Sequence, residues 1–188
     1  MLVVLMFSLA GCASDSDGAS ESTESIEASE SAGQRMAGAP KKVVIPREVF
    51  EDKPETPVLT SPESAVRSYL EWVSFAYRTT ESAVATPTMS ARQEVMVDSY
   101  VQFNLQESRR IDQTLDSITF GRASVASKRA VLPAREKWTY RYVSISDPNK
   151  TIGGPYPASY ETTYTLVKKD TGDWVVDSLD VSEIGDIK

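Results

Sequence analysis

The chain has 188 residues, room for one domain with unstructured flanks. It is 40 % hydrophobic, its mean hydropathy is −0.30, and no apolar stretch approaches the roughly 18 residues that a membrane-spanning helix needs. It has no histidine and one cysteine, Cys12, which excludes His-ligated metal, Cys–His nucleophiles, thiolate clusters and an intrachain disulfide. The net charge of −7 is uneven: residues 13–33 carry six acids and no base, while from Ser61 onward 15 Lys/Arg face 17 Asp/Glu. The acidity therefore belongs mainly to the leader and says little about what the rest of the chain binds.

Leu2 to Ala10 is apolar except for Ser8, a length that suits the core of a secretion signal and not a membrane span. It ends in Leu9-Ala10-Gly11-Cys12, which resembles the lipobox of bacterial lipoproteins. Small residues let the backbone enter a protease site, and the thiol is the nucleophile that takes up a lipid. The resemblance implies signal peptidase II cleavage between Gly11 and Cys12, and a mature protein held to the extracytoplasmic face of the cell membrane by fatty-acyl chains on Cys12. Two chains give a stable anchor where one is marginal. In one respect the stretch departs from that pattern, since no Lys or Arg precedes the apolar run.

Residues 12–60 are expected to be a linker. Up to Pro40 it is Ser, Glu, Ala and Gly with scarcely a large apolar side chain, too little to offset the entropy of ordering a backbone. Five of the ten prolines lie between Pro40 and Pro62, around "KKVVIPREVF" at 41–50, so this part is expected to be extended. Val43 to Ile45, or Val49-Phe50, are candidates for an edge strand docked on the domain. As a flexible chain, residues 13–60 would span roughly 40 Å, a spacer between a lipid surface and the domain.

A domain is expected over 61–181, with 182–188 a C-terminal tail. Thr60 or Ser61 caps a first helix, Pro62 suits its first turn, and Glu63 favours the positive end of its dipole. Ala65, Tyr69, Trp72, Val73 and Ala76 then recur at helical spacing. A loop at "TTESAVATPT" (79–88) comes next, and Ser90 with Gln93 reads as a capping box. Val97, Val101, Ile111 and Leu115 continue the helical spacing, with Tyr100 and Phe103 beside them, over 90–116, where Asn104 and Ser108 hint at a break. Strands are expected at 118–127, 135–145, 158–168 and 173–181, rich in Val, Ile, Thr and aromatics. Trp138, Tyr140 and Tyr142 share one face by the period-two rule, as do Tyr160, Tyr164 and Leu166. "DPNKTIGGPYP" (147–157) reads as a long hairpin loop and "DTGD" (170–173) as a tight one. The order implies an α+β fold, N-terminal helices packed on a curved antiparallel sheet of about four strands.

The opening helix with its tryptophan, the second helical stretch, "KWTYRYVSI" and "YETTYTLVKKDTGDWVVDSLDV" resemble the nuclear-transport-factor-2-like superfamily over 61–181. That resemblance implies a cone in which helices and sheet enclose a pocket. Enzymes of that superfamily usually hold a carboxylate with His or Tyr inside the cone; with no histidine here, no catalytic residue carries over.

Candidates for pocket or core are Tyr69, Trp72, Tyr100, Trp138, Tyr140, Tyr164 and Trp174. Asp98 and Asp112 lie where a pocket carboxylate would sit, although Asp on a helix is usually solvated and Tyr at core spacing usually packs. Arg109 to Arg141 holds eight bases (Arg109, Arg110, Arg122, Lys128, Arg129, Arg135, Lys137, Arg141) and three acids, a patch for an anionic partner unless strand alternation scatters it. "IGGPYP" (152–157) with Tyr156 is either a recognition tip or a connection shaped by turn geometry. The expected function is a lipid-anchored, non-catalytic interaction module facing an envelope protein or cell-wall partner, without nucleic acid, metal or cofactor. The alternatives are a small-molecule binder using an aromatic-lined cone and, third, a cofactor-free enzyme. A cone packed by Trp72, Trp138 and Trp174 favours the first, an open apolar cavity the second, and a buried carboxylate facing a cavity the third.

Overall fold

The computed structural model describes residues 52–184. Cys12, the expected signal peptide, the expected linker as far as residue 51 with its candidate edge strand, and residues 185–188 lie outside the described residues.

The first helix, α1 (Pro62–Thr79), starts where expected: Ser61 Oγ accepts from the Ser64 amide and Ser64 Oγ accepts from the Ser61 amide. Its buried positions run nearly all the way round, from Ala65, Val66 and Tyr69 to Trp72 and Phe75, because the chain before it covers the outer side. Trp72 Nε1 donates to the Glu55 carbonyl at 3.2 Å and the Val58 amide to Ser68 Oγ at 2.9 Å. Trp174 N–H donates to the Leu59 carbonyl at 2.8 Å. The last residues of the expected linker are therefore part of the folded unit.

After a 3-10 segment at Ser82–Thr88, the second helix α2 spans Ala91–Gln106. Ser90 accepts from the Gln93 amide, but the reciprocal half of the expected capping box is not made. The Gln93 amide group reaches Tyr69 Oη instead, at 2.8 Å. The helix does not run to 116. Ser108 takes φ 54° and the chain enters a strand, β1 (Arg109–Phe120). Ile111 and Leu115 are four apart, a spacing that satisfies the helical period and the strand period alike. The expected strand 118–127 is also divided: β1 ends at Phe120, and β2 is Ser124–Ala126.

β3 (Arg129–Ser144) begins earlier than expected and runs through Pro133. Pro133 is opposite the gap between β1, which pairs as far as Ala134, and β2, which pairs from Val131. The donor it lacks is thus missing where few partners wait. β4 (Thr151–Lys168) also starts early, which shortens the expected hairpin loop 147–157 to the residues before Thr151 and puts "IGGPYP" inside a strand. β5 (Trp174–Glu183) comes after the tight turn at 170–173 and extends two residues into the expected tail. The sheet is antiparallel in the order β1-β3-β4-β5, with β2 on β3. α1 meets both outer strands of that path, β1 and β5, so the sheet curls around it. Between them lies a core of Ala65, Val66, Tyr69, Val73, Leu132, Trp138, Tyr164, Leu166, Trp174 and Val176.

Candidate functional site

β3 alternates strictly over its first half: Arg129, Val131, Pro133, Arg135 and Lys137 face out, while Ala130, Leu132, Ala134, Glu136 and Trp138 face in. Glu136 is 5 % exposed, and its environment explains how a carboxylate is tolerated there. Tyr164 Oη on β4 donates to one oxygen at 2.5 Å and Trp138 Nε1 to the other at 2.8 Å. Tyr69 from α1 stands edge-on to Tyr164 with ring centroids 6.4 Å apart, and accepts from Gln93 on α2. Burial first, and then the Glu136 charge, push the Tyr164 hydroxyl well above its ordinary range. Burial likewise raises Tyr69, against the lowering effect of its bond from Gln93. Each of these inward-facing polar groups is used by a protein partner, and apolar side chains close around them. Trp72, Trp138 and Trp174 are each 7 % exposed or less, and Leu132 and Leu166 are fully buried.

A depression between Tyr77, Thr80, Val101, Asn104 and Ile111 has essentially no room for a water molecule. A larger, open groove of about 350 Å³ runs past Phe120, Pro133, Arg135, Glu161 and Thr163 on the sheet. Its two charges neutralise each other at 2.8 Å.

A second aromatic group gathers where α2 leads into β1, which pairs there with the end of β3. Tyr77 meets Tyr100 edge-on at 5.2 Å, and Tyr100 stacks on Phe103 at 6.5 Å. On the sheet Tyr140, Tyr142 and Tyr156 lie 5.5–6.3 Å from one another. Arg109 joins the two sets, its guanidinium 4.1 Å from the Tyr142 ring centre and 5.6 Å from that of Phe103, with Nε donating to Asn104 Oδ1 at 2.9 Å. Burial pushes Tyr100 up to about 12. Two rings of this rim are open, Phe103 at 48 % exposed and Tyr156 at 44 %, and Ile152 on β4 is 48 % exposed.

The residues singled out from sequence thus divide between two places. Tyr69, Trp72, Trp138, Tyr164 and Trp174 are core, while Tyr100 and Tyr140 belong to the rim. Asp98 on α2 accepts from Ser82 at 2.5 Å, and Asp112, which lies on β1 and not on a helix, pairs with Arg141 at 2.6 Å. The basic run is dispersed: Arg110 is buried, Arg109 is stacked, and Lys128, Arg135 and Arg141 are ion-paired with Asp170, Glu161 and Asp112. Cys12 and Gly11 lie outside the described residues. Two members went unread in the sequence. Glu136 sits between Arg135 and Lys137 and looks solvated, yet its even spacing from Trp138 was the available signal of an inward carboxylate. Arg109 looked like one charge among eight, and only the fold brings Tyr142 under it.

No protein-family model matches the chain, and no curated protein sequence does either. Among solved structures, the intermembrane space region of the chloroplast protein ARC6 is similar over 70 % of this chain and 100 % of its own, with a TM-score of 0.57 at 16 % identity. A nuclear transport factor 2 (NTF2-like) superfamily protein from Salmonella enterica covers 68 % of this chain and 96 % of its own, at 8 % identity and a TM-score of 0.47. A ketosteroid isomerase-like protein from Erwinia carotovora covers 65 % and 93 %, at 15 % identity and 0.44. At such identities the likeness is one of architecture, and the fold shared with the ARC6 region is the same arrangement of helices on an antiparallel sheet.

Proposed function

We propose that the chain is a lipid-anchored lipoprotein of the bacterial cell envelope, held outside the cytoplasm by acylated Cys12, and that its folded part is a non-catalytic interaction module of nuclear-transport-factor-2-like type. The observation that carries the module reading is the packed interior: Trp138, Trp174, Leu132 and Leu166 are buried in one core cluster, and both oxygens of the buried Glu136 carboxylate are bound by protein donors. Chemistry on a substrate needs a free group and space beside it, and Glu136 has neither. What this domain offers instead is on its outside, at Phe103, Ile152 and Tyr156, where rigid aromatics make good anchors for a partner. The anchor rests on Leu9-Ala10-Gly11-Cys12.

Two measurements test the two halves. Metabolic labelling with a tagged fatty acid should mark the protein in growing cells and fail on Cys12→Ala; label that persists in the variant overturns the anchor. A photo-cross-linking residue in place of Tyr156 should capture the same envelope component reproducibly, with the yield falling several-fold in Ile152→Asp. Random capture, unchanged by Ile152→Asp, would count against the module, and a large thermal shift with a small molecule would move the reading to a ligand binder.

A further inference from the structure

α2 is seated on the domain by Val97, Val101 and Asn104, yet its opposite side is not the charged face expected of a surface helix. At 100° per residue, Arg92, Met96, Ser99, Phe103 and Glu107 fall on one stripe, with Val95 at its flank. Met96 is 61 % exposed, Val95 63 % and Phe103 48 %, and Arg92, Ser99 and Glu107 are exposed as well. From Val95 to Gln106 the exposed positions of α2 carry no charge at all. The acids of the helix, Glu94 and Asp98, are turned to Thr86 and Ser82. At the middle of the stripe Ser99 Oγ donates to the Val95 carbonyl at 2.7 Å, so this small residue needs no bond from water or from a partner.

The two charges at the ends of the stripe are set against their own helix. Arg92 stands in the first turn, where the dipole is positive, and Glu107 at the C-cap, where it is negative. Neither has an ion-pair partner among the described residues. Both are what an oppositely directed copy of the same helix would satisfy. The pairs Arg92/Glu107 and Met96/Phe103 share one midpoint, between Ser99 and Tyr100.

We infer that this face of α2 binds a second copy of the chain, α2 against α2, antiparallel across a two-fold axis that passes between Ser99 and Tyr100. That axis sets Arg92 of each copy opposite Glu107 of the other and Met96 opposite Phe103, each contact made twice, as a self-complementary interface requires. Ser99 lets the two helices approach closely at the crossing. The stripe is only about 22 Å long, so the interface belongs to the small, weak class. Anchoring on one membrane raises the local concentration of copies and makes a weak contact sufficient. The inference rests on the reading of the domain as an interaction module.

Its test is disulfide trapping on intact cells with the full chain carrying Ser99→Cys, and as controls the unchanged chain and Thr163→Cys on the outer face of the sheet. Mild oxidation should give a disulfide-linked homodimer from Ser99→Cys, several-fold above both controls. Arg92→Glu or Glu107→Arg added to Ser99→Cys should lower that yield several-fold, and the two reversals together should restore it. A yield equal to that of Thr163→Cys overturns the inference, and single reversals without rescue overturn the antiparallel pairing. If Ser99→Cys links to a different envelope protein, the second copy is wrong and the module reading stands. If neither Ser99→Cys nor the Tyr156 probe captures anything reproducibly, both are wrong.

Discussion

Glu136 and Tyr164 are where single side chains weigh most. A carboxylate 5 % exposed is expensive unless each oxygen keeps a donor, and here Tyr164 and Trp138 supply one apiece. Tyr164→Phe keeps the ring and removes one donor, leaving Glu136 Oε1 buried and unpaired. Urea denaturation should show a loss of about 1–3 kcal/mol, with Phe103→Ala, on the open rim, costing less. A Tyr164→Phe protein as stable as the parent would mean that water or a shifted Glu136 replaces the hydroxyl. In this cluster both Glu136 oxygens are bound by protein donors, which is what the proposed interaction module rests on.

At the level of elements, β4 and α2 are the informative pieces. β5 pairs with β4 only from Tyr160 to Lys168, and Ile184 N–H adds a bond to the Ser159 carbonyl. Among the described residues the N-terminal part of β4 therefore has no strand on that edge, and Pro155 and Pro157 stand in it. Proline on an exposed edge withholds the donors that a foreign strand would need. Gly154 in the same stretch has φ 97°, and a Cβ there would lie 2.9 Å from the Tyr140 carbonyl oxygen. Gly172, in the β4–β5 turn, has φ 94° with nothing within 4 Å of its Cβ position. Gly154→Ala should thus cost more than Gly172→Ala, the latter by roughly 1 kcal/mol from backbone strain alone. Thermal unfolding of the two variants measures this, and equal losses would show that β4 yields where it meets Tyr140. α2 shows the limit of pattern reading. Its apolar residues lie on two faces, one covered by the domain and one left open, so a single periodicity could not describe it.

On the scale of the whole molecule, the tyrosines link folding to alkaline pH. Tyr100 and Tyr160 are pushed up to about 12, and Tyr69, Tyr77 and Tyr164 are raised as well, burial being the first cause in each. In the unfolded chain each ionises near its ordinary value of about 10. A folded value above the unfolded one means that their contribution to stability is complete below pH 10 and falls away as pH rises from 10 through 12 and beyond. Ultraviolet titration of the eight tyrosines should therefore show that the buried, raised ones resist ionisation while the fold is intact. The buried ones should ionise only together with loss of near-ultraviolet circular dichroism, near or above pH 12. All eight ionising near pH 10 with the dichroism intact would contradict this packing.

The sequence by itself determined the class of fold, the start of α1 and the tight turn at 170–173. Those features are local: a capping serine before proline, apolar spacing within a few turns, and glycine where φ is positive. It also showed that Trp138 and Tyr164 face inward, because strand alternation is a property of the chain alone. The end of α2 was not legible, since a spacing of four serves helix and strand equally and only pairing with β3 makes 109–120 a strand. Nor was the fate of the charges. A window with eight bases and three acids counts as basic in one dimension, but the sheet brings Glu161 to Arg135 and Asp170 to Lys128 from 26 and 42 residues away. Whether the cone is open or filled was likewise decided by tertiary packing. It depends on how α1, β3, β4 and β5 bring Tyr69, Trp138, Tyr164 and Trp174 into one core, a matter of distances between elements that no spacing along the chain encodes.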